Sequence, residues 1–171
     1  MRFTDENSPP GAGPRVPVVG WRTWRARPAP PDAVLESPYR GEPWEPGVTH
    51  ARCRRRPPWL ARVHQIPGPS CDCGIYAFST PEDALFHLVR QAVTLDDRDP
   101  LALPVVGAVI GWGRIVQHGL QGWRAEHARP VALLDTGHSL VEAAARYHHV
   151  PLVSMAGLRL LAREYGEVPT G

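Results

Sequence analysis

The chain has 171 residues, enough for one domain with a hydrophobic core of its own. Hydrophobic residues make 43% and charged residues 21%, as in ordinary globular proteins, while 20 prolines and 16 glycines exclude a long-helix bundle or coiled coil. The formal net charge of +2 neither demands an acidic partner nor rules one out. All 19 basic side chains are arginine, which reads as GC-rich coding, so arginine content alone is no nucleic-acid signal.

Residues 1–14 are polar and Pro/Gly-rich and are expected to form a disordered tail. They lack the basic-then-apolar order of a signal peptide. The longest apolar run, Leu101 to Gly113, is shorter than the roughly 20 residues a bilayer crossing needs. A cytoplasmic location without a membrane partner is the expectation.

From Val16 the text turns β-rich, with Trp21 and Trp24 inside a first strand. Arg27 to Asp32 reads as a turn, Ala33 to Ser37 as a second strand, and Val48 to Cys53 as a third. Thr80-Pro-Glu-Asp is a helix start: a hydroxyl cap, proline at the first helical position and acids in the first turn. Ala84, Leu85, Leu88, Val89, Ala92 and Val93 come next at helical spacing and predict the buried face.

Pro104 to Leu134 predicts a long β-hairpin turning through Gly119 to Gly122. That four-residue turn would pair His118 with Trp123, Arg114 with His127, and Trp112 with Arg129. Gly107, Gly111 and Gly113 share one parity, which suits a strongly bent sheet or a partial barrel. Two helices are expected to finish the chain. The first has Ser139 as cap and Glu142 completing a capping box; the second is capped by Ser154.

The chemistry concentrates between Cys53 and Cys73, where all three cysteines fall as Cys53, Cys71 and Cys73, with His64 between. Three thiolates and one imidazole are a common structural zinc set. Cys71-x-Cys73 is tighter than a usual knuckle, so the backbone must turn at Asp72 to aim both thiols at one ion. His50 competes with His64 for the fourth position. With four protein ligands the site would be closed, and zinc structural. Three cysteines in a reducing compartment are no disulfide framework. Arg52, Arg54, Arg55 and Arg56 flank the first ligand and would offset the site's negative charge, or meet nucleic-acid phosphates.

The residues Cys53, His64 and Cys71-Asp-Cys-Gly-Ile-Tyr-Ala77, then Trp112-Gly-Arg-Ile-Val-Gln-His118 and Gly122-Trp-Arg-Ala-Glu126, resemble those of a group of small actinobacterial and phage proteins. These share the Gly-aromatic-Arg-x-Trp stretch found here at Gly20 to Trp24. The resemblance covers residues 18–134 and supports the cysteine–histidine set and the hairpin. It implies no activity.

A second candidate site lies on the hairpin, where Trp112, Arg114, His118, Trp123, Arg124 and Glu126 could line a pocket for a planar or anionic ligand. The bland alternative is a solvated sheet face with ordinary cross-strand pairs. The expected fold is α+β: a small, strongly bent antiparallel sheet or partial β-barrel, stapled by zinc, with one inserted helix and two C-terminal helices. Residues 15–171 would form this single zinc-binding domain. The expected function is a non-enzymatic binding or regulatory module. One rival is a small enzyme or nucleotide-binding protein using the hairpin pocket. The other is a nucleic-acid-binding protein, whose macromolecular partner meets the arginine-rich loop.

Overall fold

A computed structural model describes residues 17–39, 41–53, 64–68, 71–95, 101–119 and 121–165. The expected tail and Arg54, Arg55 and Arg56 lie outside the described residues. Among the described residues, seven strands and three helices run in the order β1 (Val18–Ala29), β2 (Asp32–Glu36), β3 (Thr49–His50), β4 (Ile75–Phe78), α1 (Pro81–Leu95), β5 (Leu103–His118), β6 (Gly122–Leu134), α2 (Ser139–His148), β7 (Leu152–Val153) and α3 (Met155–Tyr165).

Four antiparallel strands form a ring. β1 pairs with β5 from Val18↔Gly111 to Ala26↔Leu103, β5 pairs with β6, β6 with β4, and β4 returns to β1 at Trp21↔Phe78. β2 and β3 extend the sheet from β1 and β6, and β7 runs parallel to the end of β6. The fold is thus α+β with a strand-dominated ring and three helices, one inserted and two C-terminal, as the sequence suggested.

Strand alternation explains the two cores. Val18 and Trp24 of β1 share one cluster with Val105, Val109, Ile75, Ala77, Trp123 and Ala125. Trp21 points the other way, with Val106, Ala108 and Ala132, under Leu158 of α3 and Ala84 of α1. α2 seals the first cluster through Val141, Ala144 and Ala145.

The hairpin corrects the expected register. His118 pairs with Gly122, so residues 119–121 alone make the connection, and a bulge between Trp112 and Ile115 sets Trp112 opposite His127. Gly122 belongs to the sheet because its backbone lies against β4. A Cβ there would sit 1.9 Å from the Ala77 carbonyl oxygen. A slip of one residue exchanges the two faces of a strand, and here it sends Trp123 inward. The glycine stripe therefore leaves no open space: a Cβ on Gly111 would lie 2.4 Å from the Trp123 ring, which fills the ring of strands. The Trp123 indole N–H donates to Val19 O at 3.3 Å.

Other local corrections have polar causes. Thr80 caps α1 as expected, its Oγ1 accepting from Asp83 N at 3.1 Å. Ala84, Leu85 and Leu88 pack against the second core as expected, but Val89 is exposed, as is Phe86, while Gln91 is buried beside Thr23 of β1, to which its side-chain amide donates; the side chains of Ala92 and Val93 lie outside the described residues. The cap of α2 falls on His138, whose Nδ1 accepts from Leu140 N, and not on Ser139. An Asx turn, Gly137 N to Asp135 Oδ1 at 2.9 Å, delivers His138 in extended geometry. β4 was not among the expected strands; Ile75-Tyr-Ala-Phe78 carries β-forming residues, but only over four positions. Ser154 caps α3 through Gly157 N.

Gly111→Ala is expected to lower stability by about 1–3 kcal/mol, since the new methyl must displace the Trp123 ring; chemical denaturation measures it. His148 supplies a pH test. Its Nε2 accepts from Leu35 N, and burial, with His149 adding repulsion, takes its pKa down to about 4. The unfolded chain keeps a value near 6.5. As pH falls from about 6.5 to 4, the unfolded chain gains a proton that the folded chain refuses, so up to about 3 kcal/mol of stability present above pH 6.5 is lost. His148→Gln, which keeps an acceptor for Leu35 N, should flatten that acid limb.

Candidate metal centre and the adjoining cleft

Cys53 comes after β3, His64 and Gly68 lie in the proline- and glycine-rich connection, and Cys71 and Cys73 precede β4. The ligand atoms of Cys53, His64, Cys71 and Cys73 all lie within 4.8 Å of one another. Cys53 Sγ is 3.6 Å from Cys71 Sγ, and His64 Nε2 is 3.3 Å from Cys73 Sγ. The edges of a tetrahedron built on metal–sulfur bonds of about 2.3 Å are about 3.8 Å long, and its sulfur–nitrogen edges are slightly shorter. The four side chains are therefore close enough to hold one metal ion. The chain does turn between Cys71 and Gly74, entering β4 only at Ile75, with Gly74 at φ +120°. That turn lets both thiols of Cys-x-Cys face the same point.

The donor set also suits a bound cation electrostatically. Burial pushes the Cys73 thiol pKa up and neighbouring Cys71 and Cys53 add to the rise, while the Gly68 N–H, donated to its sulfur at 3.4 Å, opposes it. A divalent ion would relieve this crowding by taking the thiols as thiolates. His50 is not the fourth ligand: its Nδ1 lies 3.0 Å from His127 Nδ1 across the β3–β6 pairing.

Arg124, expected as a ligand donor on the hairpin, is turned toward the loop that carries the cysteines. Its buried guanidinium donates to the carbonyl oxygens of Cys71, of Cys73 at 3.0 Å and of Gly68 at 3.4 Å. It also lies over the Tyr76 ring at 5.6 Å, and the Tyr76 hydroxyl donates back to Asp72 O at 2.9 Å. A single β6 side chain thus holds three carbonyls of the loop carrying three of the four ligands.

The six hairpin residues do not gather into one pocket. Trp123 is core, Arg124 is on the metal loop, and Trp112 lies 5.9 Å from the His127 ring. Glu126 Oε2 accepts from the Arg114 backbone N–H at 3.1 Å. Only His118 of the six lines the large cleft on the other side of β4, where its ring meets Tyr76 edge-on at 5.3 Å.

That cleft, about 860 Å³, is bounded by the Ser37–Trp44 loop on one side and by Cys73 to Phe78 on the other. Arg22 reaches it from β1, donating to the Tyr76 carbonyl and to Ser37 Oγ and lying 4.9 Å above the Trp44 ring. Desolvation lowers its pKa to about 10, opposed by the Glu42 charge, so it is cationic at neutral pH. Tyr39 Oη meets His87 Nε2 at 2.5 Å, and His87 Nδ1 meets Thr23 Oγ1 at 3.1 Å and the Gln91 amide at 3.0 Å. Burial first, then Arg22 and Arg90, push His87 below its ordinary pKa and hold it neutral. Sequence reasoning missed Arg22, Tyr39, Trp44 and His87. The signal available was weak: His87 and Gln91 are four apart on α1, on the side of Ala84. Arg52, exposed, is at the cleft's edge.

No protein family, curated protein or solved structure matches the chain. Among the described residues no helix is long and apolar enough to cross a membrane.

Arg124→Gln is expected to weaken metal binding about 10–100-fold, as removal of a partner that orients ligands does, with β6 still paired. Competition against a chromogenic chelator reads the change. Affinity equal to wild type would show that the three carbonyl contacts do not hold the ligands in place.

Proposed function

We propose that Cys53, His64, Cys71 and Cys73 hold one structural zinc ion, and that the protein is a non-enzymatic binding module whose ligand enters the cleft beside that centre. The choice of zinc rests on donor chemistry, since three thiolates and an imidazole form a closed, soft, tetrahedral set without an open position for catalysis. Zinc with this set carries one net negative charge, and the Arg124 guanidinium beside it offsets that charge.

The observation that carries the binding reading is the continuity of the two sites. Asp72, Cys73 and Gly74 line the cleft that Arg22, Trp44 and Tyr76 also line, so metal binding orders one of its walls. Its volume of about 860 Å³ falls in the range of small-ligand sites. Arg22, the phenol of Tyr39 and His118 offer donors for a small polar ligand with a planar part. A second reading, acid–base catalysis in the same cleft, draws on the Tyr39–His87–Thr23 hydrogen-bond line. Turnover of a bound compound, detected by mass spectrometry, separates it from simple binding. The nucleic-acid reading keeps only Arg52 among the described residues.

A thermal-shift screen of nucleotides, sugar phosphates and acidic metabolites tests the binding reading. A ligand at 100 times its Kd stabilises by about 2.7 kcal/mol, a Tm rise of roughly 5–10 °C for a chain of this size. The rise should shrink in His118→Ala and Tyr39→Phe and persist in Trp112→Ala, which lies outside the cleft. No shift with any compound, or a shift indifferent to both cleft variants, contradicts the reading.

A further inference from the structure

Among the described residues the cross-strand pair His50 and His127 is a second place where metal-ligating side chains meet, and it stands apart from the cysteine centre. The two residues are direct partners in the β3–β6 register, and their Nδ1 atoms lie 3.0 Å apart with the ring planes at 80°. Two nitrogens bound to one metal at about 2.0–2.1 Å are about 2.9 Å apart when they subtend a right angle and about 3.4 Å apart in a tetrahedron. The observed 3.0 Å, a hydrogen bond between the two ring nitrogens when no cation is present, is also the separation of adjacent positions of a square-planar or octahedral ion, which would take the place of the shared proton.

Glu126 supplies the support such a site needs. Its Oε1 lies 3.5 Å from His127 Nε2, and its Oε2 is fixed by the Arg114 backbone N–H at 3.1 Å. This puts a carboxylate beside the far ring nitrogen of His127, the place an outer partner takes on a metal-bound histidine. The Trp112 ring lies tilted beside the His127 ring, centroids 5.9 Å apart. Ala51 N donates to Glu126 O at 2.8 Å, so the segment carrying His50 is hydrogen-bonded to the strand carrying His127.

We propose that His50 and His127 form an open bis-histidine site for a borderline divalent cation of the nickel or copper type, separate from the closed Cys53, His64, Cys71, Cys73 centre. Two protein ligands leave the remaining positions to water or to a donor atom from a molecule in the cleft, whose wall includes His50. The inference stands on the histidine geometry alone and does not depend on the cleft's ligand.

The test is Ni(II) titration of the zinc-loaded, untagged full chain by calorimetry, with released zinc followed by a chromogenic chelator and histidine ring signals followed by NMR. The expected result is one Ni(II) equivalent that leaves zinc in place and broadens the His50 and His127 signals first. His50→Gln and His127→Gln should each weaken it at least tenfold, and Glu126→Gln less. His50→Gln, at an exposed position of the two-residue β3, keeps the test decisive if His127→Gln fails to fold. No Ni(II) binding, binding unchanged in His50→Gln, or uptake matched by zinc release would overturn the proposal.

Discussion

Three backbone carbonyls, those of Gly68, Cys71 and Cys73, converge on the guanidinium of Arg124. A loop rich in proline and glycine buries little apolar surface and cannot order itself by packing. Arg124 gives it a fixed partner on β6, and a metal ion held by Cys53, His64, Cys71 and Cys73 would cross-link it. The loop leads directly into β4, and β4 meets β1 at a single pair, Trp21↔Phe78. The side of the ring formed by β4 is therefore the one with fewest strand contacts of its own, and the metal loop anchors its beginning.

The same stretch of β6 specifies register. Trp123 fills the ring and Arg124 faces the loop, and the two are neighbours on one strand. A slip of one residue would bury a guanidinium against Gly111 and Val109 of β5 and leave an indole beneath the Cys71–Cys73 turn. The cost of an uncompensated buried charge excludes that arrangement. Gly122, pressed on the Ala77 carbonyl, enforces the correct one sterically. Packing, electrostatics and backbone contact thus agree within three consecutive residues, which is the kind of agreement that gives a sequence one structure.

Much of this frame was legible in the sequence because its signals are local. The Thr80 cap, the Ser154 cap and the Cys53, His64, Cys71, Cys73 spacing depend on near neighbours, and the structure brings those four ligands together. The bend at Asp72 came from simple strand geometry. The features that escaped depend on long-range contacts. The true turn of the hairpin is decided by β4, a strand from elsewhere in the chain. Arg124 could be read as a ligand donor or as a loop anchor until its partners, more than 50 residues earlier, were known. His87 and Gln91 look like surface residues of an amphipathic helix, yet they join Thr23 in a buried polar cluster. The cleft escaped for the same reason: its walls come from β1, the Ser37–Trp44 loop, β4 and α1, and no single segment announces it.

The central claim is that metal binding orders β4 and with it one wall of the cleft. Amide hydrogen exchange on metal-loaded and metal-stripped protein tests it most directly. The account predicts that stripping speeds exchange at residues 71–78 by at least tenfold while the β1–β5 amides, held by nine strand pairs from Val18↔Gly111 to Ala26↔Leu103, keep their protection. Equal protection of residues 71–78 with and without metal would contradict it.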